Sequence, residues 1–496
     1  MIESMVKAVV GDETQLKFAE DRLSRSAIPA QVGLVIGKLN STIDRGFVFD
    51  LVPTPPNDAG EPACSLSEAP KDDKKKKGPK TKSLHDSSSS LLIDQDWVVE
   101  HARQVSRMLV GGMKVIGIYI WASESSFKNS TIILCQTVKG VADAASILET
   151  DRDEGLLIHI CYSPMKWTCR NCTLTSNITS SSLRPCDFKM GRVLTSIQTF
   201  RCMYNFDIRL PIYHDSASNA KTLTDILRYG ISIHAKELRG AKAIIDGCLV
   251  VGDEPCSSDG LHEVELLLPF MKDASVEACS QKEVVGILVF SGSVCSFACL
   301  NPKEPISQAL ADIKGDIIMS LQSRLDIICD EADGDVGPTD DGCKEANDEI
   351  STGKPVSQLV LHLLRKQQCL SFPRRVFVPW LAGTYICDYL QPYDTVEVLK
   401  DHCVELMSME APTDPSTFLE PEIEAPTLAT KSFLDVAVPF NSAFSSEYPL
   451  QKRETGTREE SNRKPTQSAD LTMIIAVLLV FLSIFVGWVL FAVRAS

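Results

Sequence analysis

The last long apolar run of the chain, Leu471–Val493 (LTMIIAVLLVFLSIFVGWVLFAV), carries no charge over 23 residues. That restricts what it can become. As a helix at about 1.5 Å per residue it extends ~34 Å, enough to cross a hydrocarbon core of about 30 Å. A helix satisfies its own backbone polar groups, which lipid cannot do. The run is therefore expected to be a transmembrane helix, with Trp488 near the far interface. Only Arg494, Ala495 and Ser496 follow, so the expected insertion is post-translational, as a tail anchor.

Charge on either side of the run sets the expected orientation. Lys452, Arg453, Arg458, Arg463 and Lys464 precede it and one arginine follows. The basic excess upstream places the N-terminal body in the cytosol. The opening MIESMVKAVVGDETQLKF has acids early and no apolar core of signal-peptide length. The expected location is the endoplasmic reticulum or another secretory-pathway membrane, with one pass through the bilayer. Sequons at Asn40, Asn129, Asn171 and Asn177 are then unused. A net charge of −15 argues against nucleic acid as a partner, because such binding needs a basic surface. Seventeen cysteines form an odd set with no compact spacing. In the cytosol they read as reduced, mostly buried thiols.

The pattern along the chain predicts an α+β body. Gln31–Leu39 and Phe47–Val52 read as a hairpin. Residues 53–90, with KDDKKKKGPKTK at 71–82, read as a disordered insertion, too charged to bury a core. A helix capped by Asp94 or Asp96 carries Val98, Ala102, Val105 and Leu109 at helical spacing and ends at Gly111-Gly112. Met113–Trp121 is apolar on both faces and reads as a central strand. A second helix is expected at Val138–Thr150, closing a first domain over 1–150. A mixed, mostly β second domain is expected over 154–407. Its strands are Leu156–Tyr162, Thr199–Ile212, Ala243–Val251, Glu263–Pro269, Val284–Phe297 and a pair within Arg374–Leu390. A helix from Ile306 to Asp330 has one apolar stripe and should lie across the sheet. An acidic loop covers 330–355, and Thr395–Met407 is a closing helix. Residues 408–470, rich in Pro, Ser, Thr and Glu, read as a disordered tether, with an apolar island at Phe433, Val436, Val438, Phe440 and Phe444.

Residues with catalytic chemistry are scattered. Cys169 and Cys172 make a single CxxC, and zinc needs four ligands. Cys295 and Cys299 could join them only by folding back. No cysteine–histidine pairing stands out for a thiol nucleophile. His101 reads as part of the polar side of a helix, and His362 and His402 as helix-surface or packing residues. No phosphate loop or GxGxxG occurs. The expectation is no enzyme, no catalytic residue, no cofactor and no metal.

Two resemblances add to this reading. GLVIG at 33–37, a hairpin, a helix and VIGIYIW at 115–121 resemble the MPN domain, the fold of metal-dependent deubiquitinating peptidases. Laying Gly117 on that family's glycine puts Ile120 and Ala122 where its zinc-binding histidines stand. Neither can ligate a metal, so the resemblance implies a pseudo-enzyme module that serves as a docking surface. DWVVEHARQVSRMLVGGMKVIGIYI (96–120) and FPRRVFVPWLAGTYICDY (372–389) resemble the Odr-four-like family. The match rests on Trp97, Glu100, His101, Ala102, Gln104–Leu109, Gly111-Gly112 and Arg375–Pro379. That resemblance implies a tail-anchored adaptor that localises or traffics other membrane proteins, G-protein-coupled receptors among them. The alternative it implies is a membrane anchor and scaffold for a Ufm-type ubiquitin-like-modifier protease. Both are non-enzymatic.

Overall fold

In the computed structural model, residues 6–40, 45–67, 89–145, 154–174, 182–213, 222–253, 260–269, 284–301, 304–334, 369–412 and 414–432 are described. All fall within one unit, Met1–Val438. The first sheet begins with β1 (Ala8–Asp12), whose last residue caps α1 (Glu13–Arg25). One Asp12 oxygen accepts from Thr14 N and Gln15 N, at 3.1 and 3.3 Å. The other accepts from Val193 N and Leu194 N, so one carboxylate ties the start of the sheet to its end.

β2 (Gln31–Asn40) and β3 (Arg45–Pro53) form the expected antiparallel hairpin. β4 (Cys64–Ser67) and β5 (Ser90–Ile93) pair with each other. α2 (Gln95–Met108) starts at Asp94, whose side chain accepts from Trp97 N at 3.1 Å. β6 (Lys114–Trp121) lies between β2 and β7 (Glu154–Tyr162). α3 (Glu124–Asn129) and α4 (Thr131–Ala145) carry the chain across to that parallel strand. β8 (Met165–Thr173) and β9 (Leu183–Gly191) follow antiparallel. β9 then pairs with β1, closing a barrel in the order β1-β3-β2-β6-β7-β8-β9. The closure leaves no free edge on this sheet.

The second sheet has the order β12-β11-β13-β10-β14-β18-β15. Its strands are β10 (Gln198–Tyr213), β11 (Lys242–Ile245), β12 (Cys248–Leu249), β13 (Leu261–Leu267), β14 (Val284–Leu300), β15 (Leu370–Ser371) and β18 (Thr427–Ser432). α5 (Leu223–Arg239) and α6 (Ile306–Gly334) share its core. Ile313, Ile317, Leu321 and Leu325 on α6 are buried there, as the apolar stripe predicted. β16 (Arg374–Pro379) and β17 (Tyr385–Leu390) form a separate hairpin, followed by α7 (Val396–Glu405). The apolar residues of α7 and one face of the hairpin join the core of the first sheet.

Several expectations change here. The boundary set at 150–154 falls inside the barrel, because β7, β8 and β9 pair with the N-terminal strands. Residues 374–418 then return to the first core, so a second domain over 154–407 does not form by itself. The tether does not begin at 408. Phe418 and Leu428 are buried and β18 pairs with β14, so packing overrides the polar composition up to residue 432. The insertion at 53–90 is structured over its first part, where Ala63 and Cys64 are buried, and β5 begins at its last residue, Ser90. The second helix begins at Thr131, ahead of the expected Val138, and is described as far as Ala145; residues 146–150 lie outside the described residues. Of the second domain's helices α5 was not expected. The lysine run at 71–82, the acidic loop from 335 onward, the apolar island at 433–444 and the apolar run at 471–493 lie outside the described residues. Among the described residues, no helix is long and apolar enough to cross a membrane.

Candidate functional site

The two most distinctive stretches of the sequence meet where the two sheets join. α2 ends at Met108, and the chain turns through Gly111 and Gly112 at φ +74° and +76°. Leu109 bridges to Ile386 and Gly111 to Ala298. A Cβ on Gly111 would lie 2.7 Å from Cys299 Sγ, and one on Gly112 only 2.1 Å from Asp312 Oδ2. Glycine is needed for the left-handed backbone and for the close approach. Asp312 is held in turn by Lys38 of β2, whose Nζ donates to Asp312 Oδ2 at 2.7 Å and to Cys299 O at 2.6 Å. Burial works against the Lys38 ammonium, but Asp312 and Glu304 outweigh it and hold its pKa above the usual lysine value.

A second set of charges lies deeper. Arg375 opens the RVFVP stretch on β16 and is fully buried. Its guanidinium donates to both oxygens of Asp316 on α6, at 2.8 and 2.9 Å, and to Cys295 O at 3.0 Å. Burial opposes its charge, but Asp316 more than offsets this and raises its pKa well above the ordinary value. Glu422 accepts from Arg375 N, Cys295 N and the Arg324 guanidinium. Arg324 and Arg375 each lie 5.6 Å from the centre of the Tyr389 ring. Two guanidiniums face two carboxylates, and Lys38 faces Asp312. These buried ion pairs lock the sheets together.

The other notable cluster is at the C-terminal ends of β6 and β7. Ile120 and Ala122 are both fully buried in the apolar core. Beside them on β7, His159 is fully buried and stacks on Phe127, with ring centres 4.1 Å apart. Its Nε2 lies 3.0 Å from Ala122 O. A carbonyl only accepts, so Nε2 carries the proton and Nδ1 presents a lone pair. Nδ1 has no hydrogen-bond partner; the nearest carboxylate oxygen, Glu124 Oε2, is 3.7 Å away. Burial pushes the His159 pKa down, keeping the ring neutral. Glu124, His159 and Cys161 bring their ligand atoms within 4.8 Å of one another.

The CxxC behaves as its strand geometry dictates. Three residues apart on β8, the two thiols point to opposite faces. Cys169 lies in the core that α1 shares and Cys172 in the one that α2 and α4 share. The Cys169 thiol is hydrogen-bonded to Cys186 and the Cys172 thiol to Cys135, all four being free thiols. Those contacts and burial push both thiols up, leaving them protonated. Cys295 and Cys299 sit at the seam. His101 is not a surface residue: it is buried, with Nε2 donating to Leu406 O at 2.8 Å and Nδ1 facing Thr54 Oγ1. It ties α2 to the end of α7. His402 is half-exposed and bonded to Asp388, a helix-surface residue as expected. His362 lies outside the described residues. Sequence reasoning missed Glu124, His159 and Cys161, which are separated by up to 37 positions and meet only through β6–β7 pairing.

The fold and site thus define a two-sheet α/β body whose distinctive residues form a closed structural seam. The chain belongs to the ODR4-like family (Odorant response abnormal 4-like), whose model matches residues 33–417. Its relatives include the protein odr-4 homologs of Homo sapiens and Mus musculus, 27% and 25% identical over 345 residues. Each alignment covers 64% of this chain and 69% of the relative. The Dictyostelium discoideum homolog is 24% identical over 401 residues, covering 79% of this chain and 77% of its own. A crystal structure of UfSP from C. elegans aligns over 81% of this chain and 57% of that one, with a TM-score of 0.36 and 7% identity.

Proposed function

We propose that this protein is a non-enzymatic, tail-anchored adaptor that helps localise or traffic other membrane proteins in the early secretory pathway. The observation that carries the reading is the seam. Residues 33–417, matched by the family model, fall within one body, and its most distinctive motifs contribute the buried contacts that lock the sheets together. Such a body suits rigid presentation of a binding surface to a client. Its first sheet is read as an MPN-like pseudo-enzyme module, with Ile120 and Ala122 filling the positions of metal ligands. The apolar run at 471–493 would hold the body on the cytosolic face of the endoplasmic reticulum.

The test uses full-length chain and a chain lacking 471–493, each expressed with a tagged seven-helix receptor in cells depleted of the endogenous protein. Full-length chain should restore receptor at the target membrane and the shortened chain should not. Equal receptor delivery with both, or with neither, defeats the adaptor reading. Recovery of a Ufm-type protease in a detergent pulldown, without any receptor effect, would favour the alternative of a protease anchor.

A further inference from the structure

The corner formed by Glu124, His159 and Cys161 has the chemistry of a metal site, and it is independent of the adaptor reading. We infer that these three residues bind one Zn²⁺-class divalent ion. The backbone carbonyl of Ala122 fixes the imidazole by accepting from Nε2 at 3.0 Å. A partner of this kind on the outer nitrogen is what orients metal-bound histidines. The inner nitrogen is then an unprotonated donor, fully buried and without a hydrogen-bond partner. A buried polar atom left unpaired is costly, and an ion would satisfy it.

Distances fit after a small adjustment. Zinc bonds of about 2.0–2.2 Å to nitrogen and oxygen place two tetrahedral ligand atoms roughly 3.4 Å apart. The Nδ1–Oε2 separation is 3.7 Å. Cys161 Sγ, within 4.8 Å of both ligand atoms, makes a weak contact to Ser163 O at 3.6 Å and can rotate inward from it. Lys128 holds the other Glu124 oxygen at 3.2 Å, leaving Oε2 free to ligate. A carboxylate and a thiolate neutralise the ion's two charges, so the bound site adds no net positive charge beside Arg170 and Lys128. Mixed nitrogen, sulfur and oxygen donors favour zinc over magnesium or calcium. The Glu124 side chain is 44% exposed and gives the ion a way in. Three protein ligands leave a fourth position for water or a partner's side chain. This is an inference of binding, which pins the start of α3 to β7; it assigns no turnover.

The test is a Co²⁺ titration of the detergent-solubilised full chain, followed by displacement with Zn²⁺. The parent should bind one ion more per chain than Cys161→Ser, with a thiolate-to-cobalt charge-transfer band that Zn²⁺ removes. Glu124→Gln, at a partly exposed position, should fold normally and bind Co²⁺ about tenfold or more weaker. Equal cobalt binding by parent and both variants overturns the inference. If Cys161→Ser fails to fold, Glu124→Gln decides alone, and unchanged affinity there overturns it.

Discussion

Arg375 is buried with its guanidinium on both oxygens of Asp316, so its removal leaves a buried carboxylate without that counter-charge. Arg375→Met should lower the unfolding free energy by about 3–5 kcal/mol, read from denaturant midpoints. Replacing both partners with apolar residues should recover much of that loss, since the uncompensated charge causes it. The histidines add a pH dependence at the same scale. His101, His159 and His234 are each pushed down, chiefly by burial. The folded state then binds fewer protons than the unfolded one. Their contribution is fully present above the unfolded value of about 6.5 and is lost as pH falls below it toward the folded values. His402 has the opposite sign. The bond to Asp388 raises its pKa, so its contribution is present below about 6.5 and fades as pH rises through the folded value. The three buried rings outnumber it. Denaturation at ~pH 7 and ~pH 5 should show lower stability in acid, and His101→Gln should make that dependence shallower. An unchanged slope would mean that His101 binds protons equally in the folded and unfolded states.

At the scale of elements, the informative piece is β18 with the segment that leads to it. Glu422 sits on that segment and is fully buried against Arg324 and Arg375 N. A chain ended at residue 407 loses Glu422, Phe418 and a strand of the second sheet, and leaves Arg324 buried without its carboxylate. That change should cost at least ~3–5 kcal/mol. A chain ended at residue 432 should unfold cooperatively, whereas one ended at 407 should be protease-sensitive and bind hydrophobic dyes. Equal protease resistance would show that residues 408–432 contribute little. The sequence disguised this segment because its polar composition matches a linker, while three buried side chains decide its fate. α5 was hidden for a different reason. Leu223, Leu227, Ile231 and Leu238 have helical spacing, but they lie among strands that bias the reading toward β.

At the scale of the molecule, the described residues build the barrel, then the second sheet, return to the first core with β16, β17 and α7, and come back to the second sheet with β18. Cutting it into sequential domains is therefore not possible. The orientation of this body is tested by protease protection of intact microsomes. Accessible protease should digest the body, and Asn129 should carry no glycan. Asn129 is exposed, whereas Asn171 is buried with its amide on Val6 O at 3.3 Å. Absence of glycan at Asn171 therefore says nothing about topology. A protected body glycosylated at Asn129 would invert the expected orientation.

Local patterning decided what the sequence could show by itself. The β2–β3 hairpin, central β6, the Asp94 cap of α2 and the stripe on α6 all follow from period, capping and turn chemistry over a few residues. The stretches that mark the family could also be read directly. The way these pieces close together was not legible. The parallel β1–β9 pairing joins residues some 180 positions apart, and Arg375, Asp316 and Glu422 meet from three distant segments. Glu124 of α3 likewise meets His159 and Cys161 of β7 only in the folded chain. Pairing and charge burial at such separations depend on which surfaces pack, and only the tertiary structure sets that.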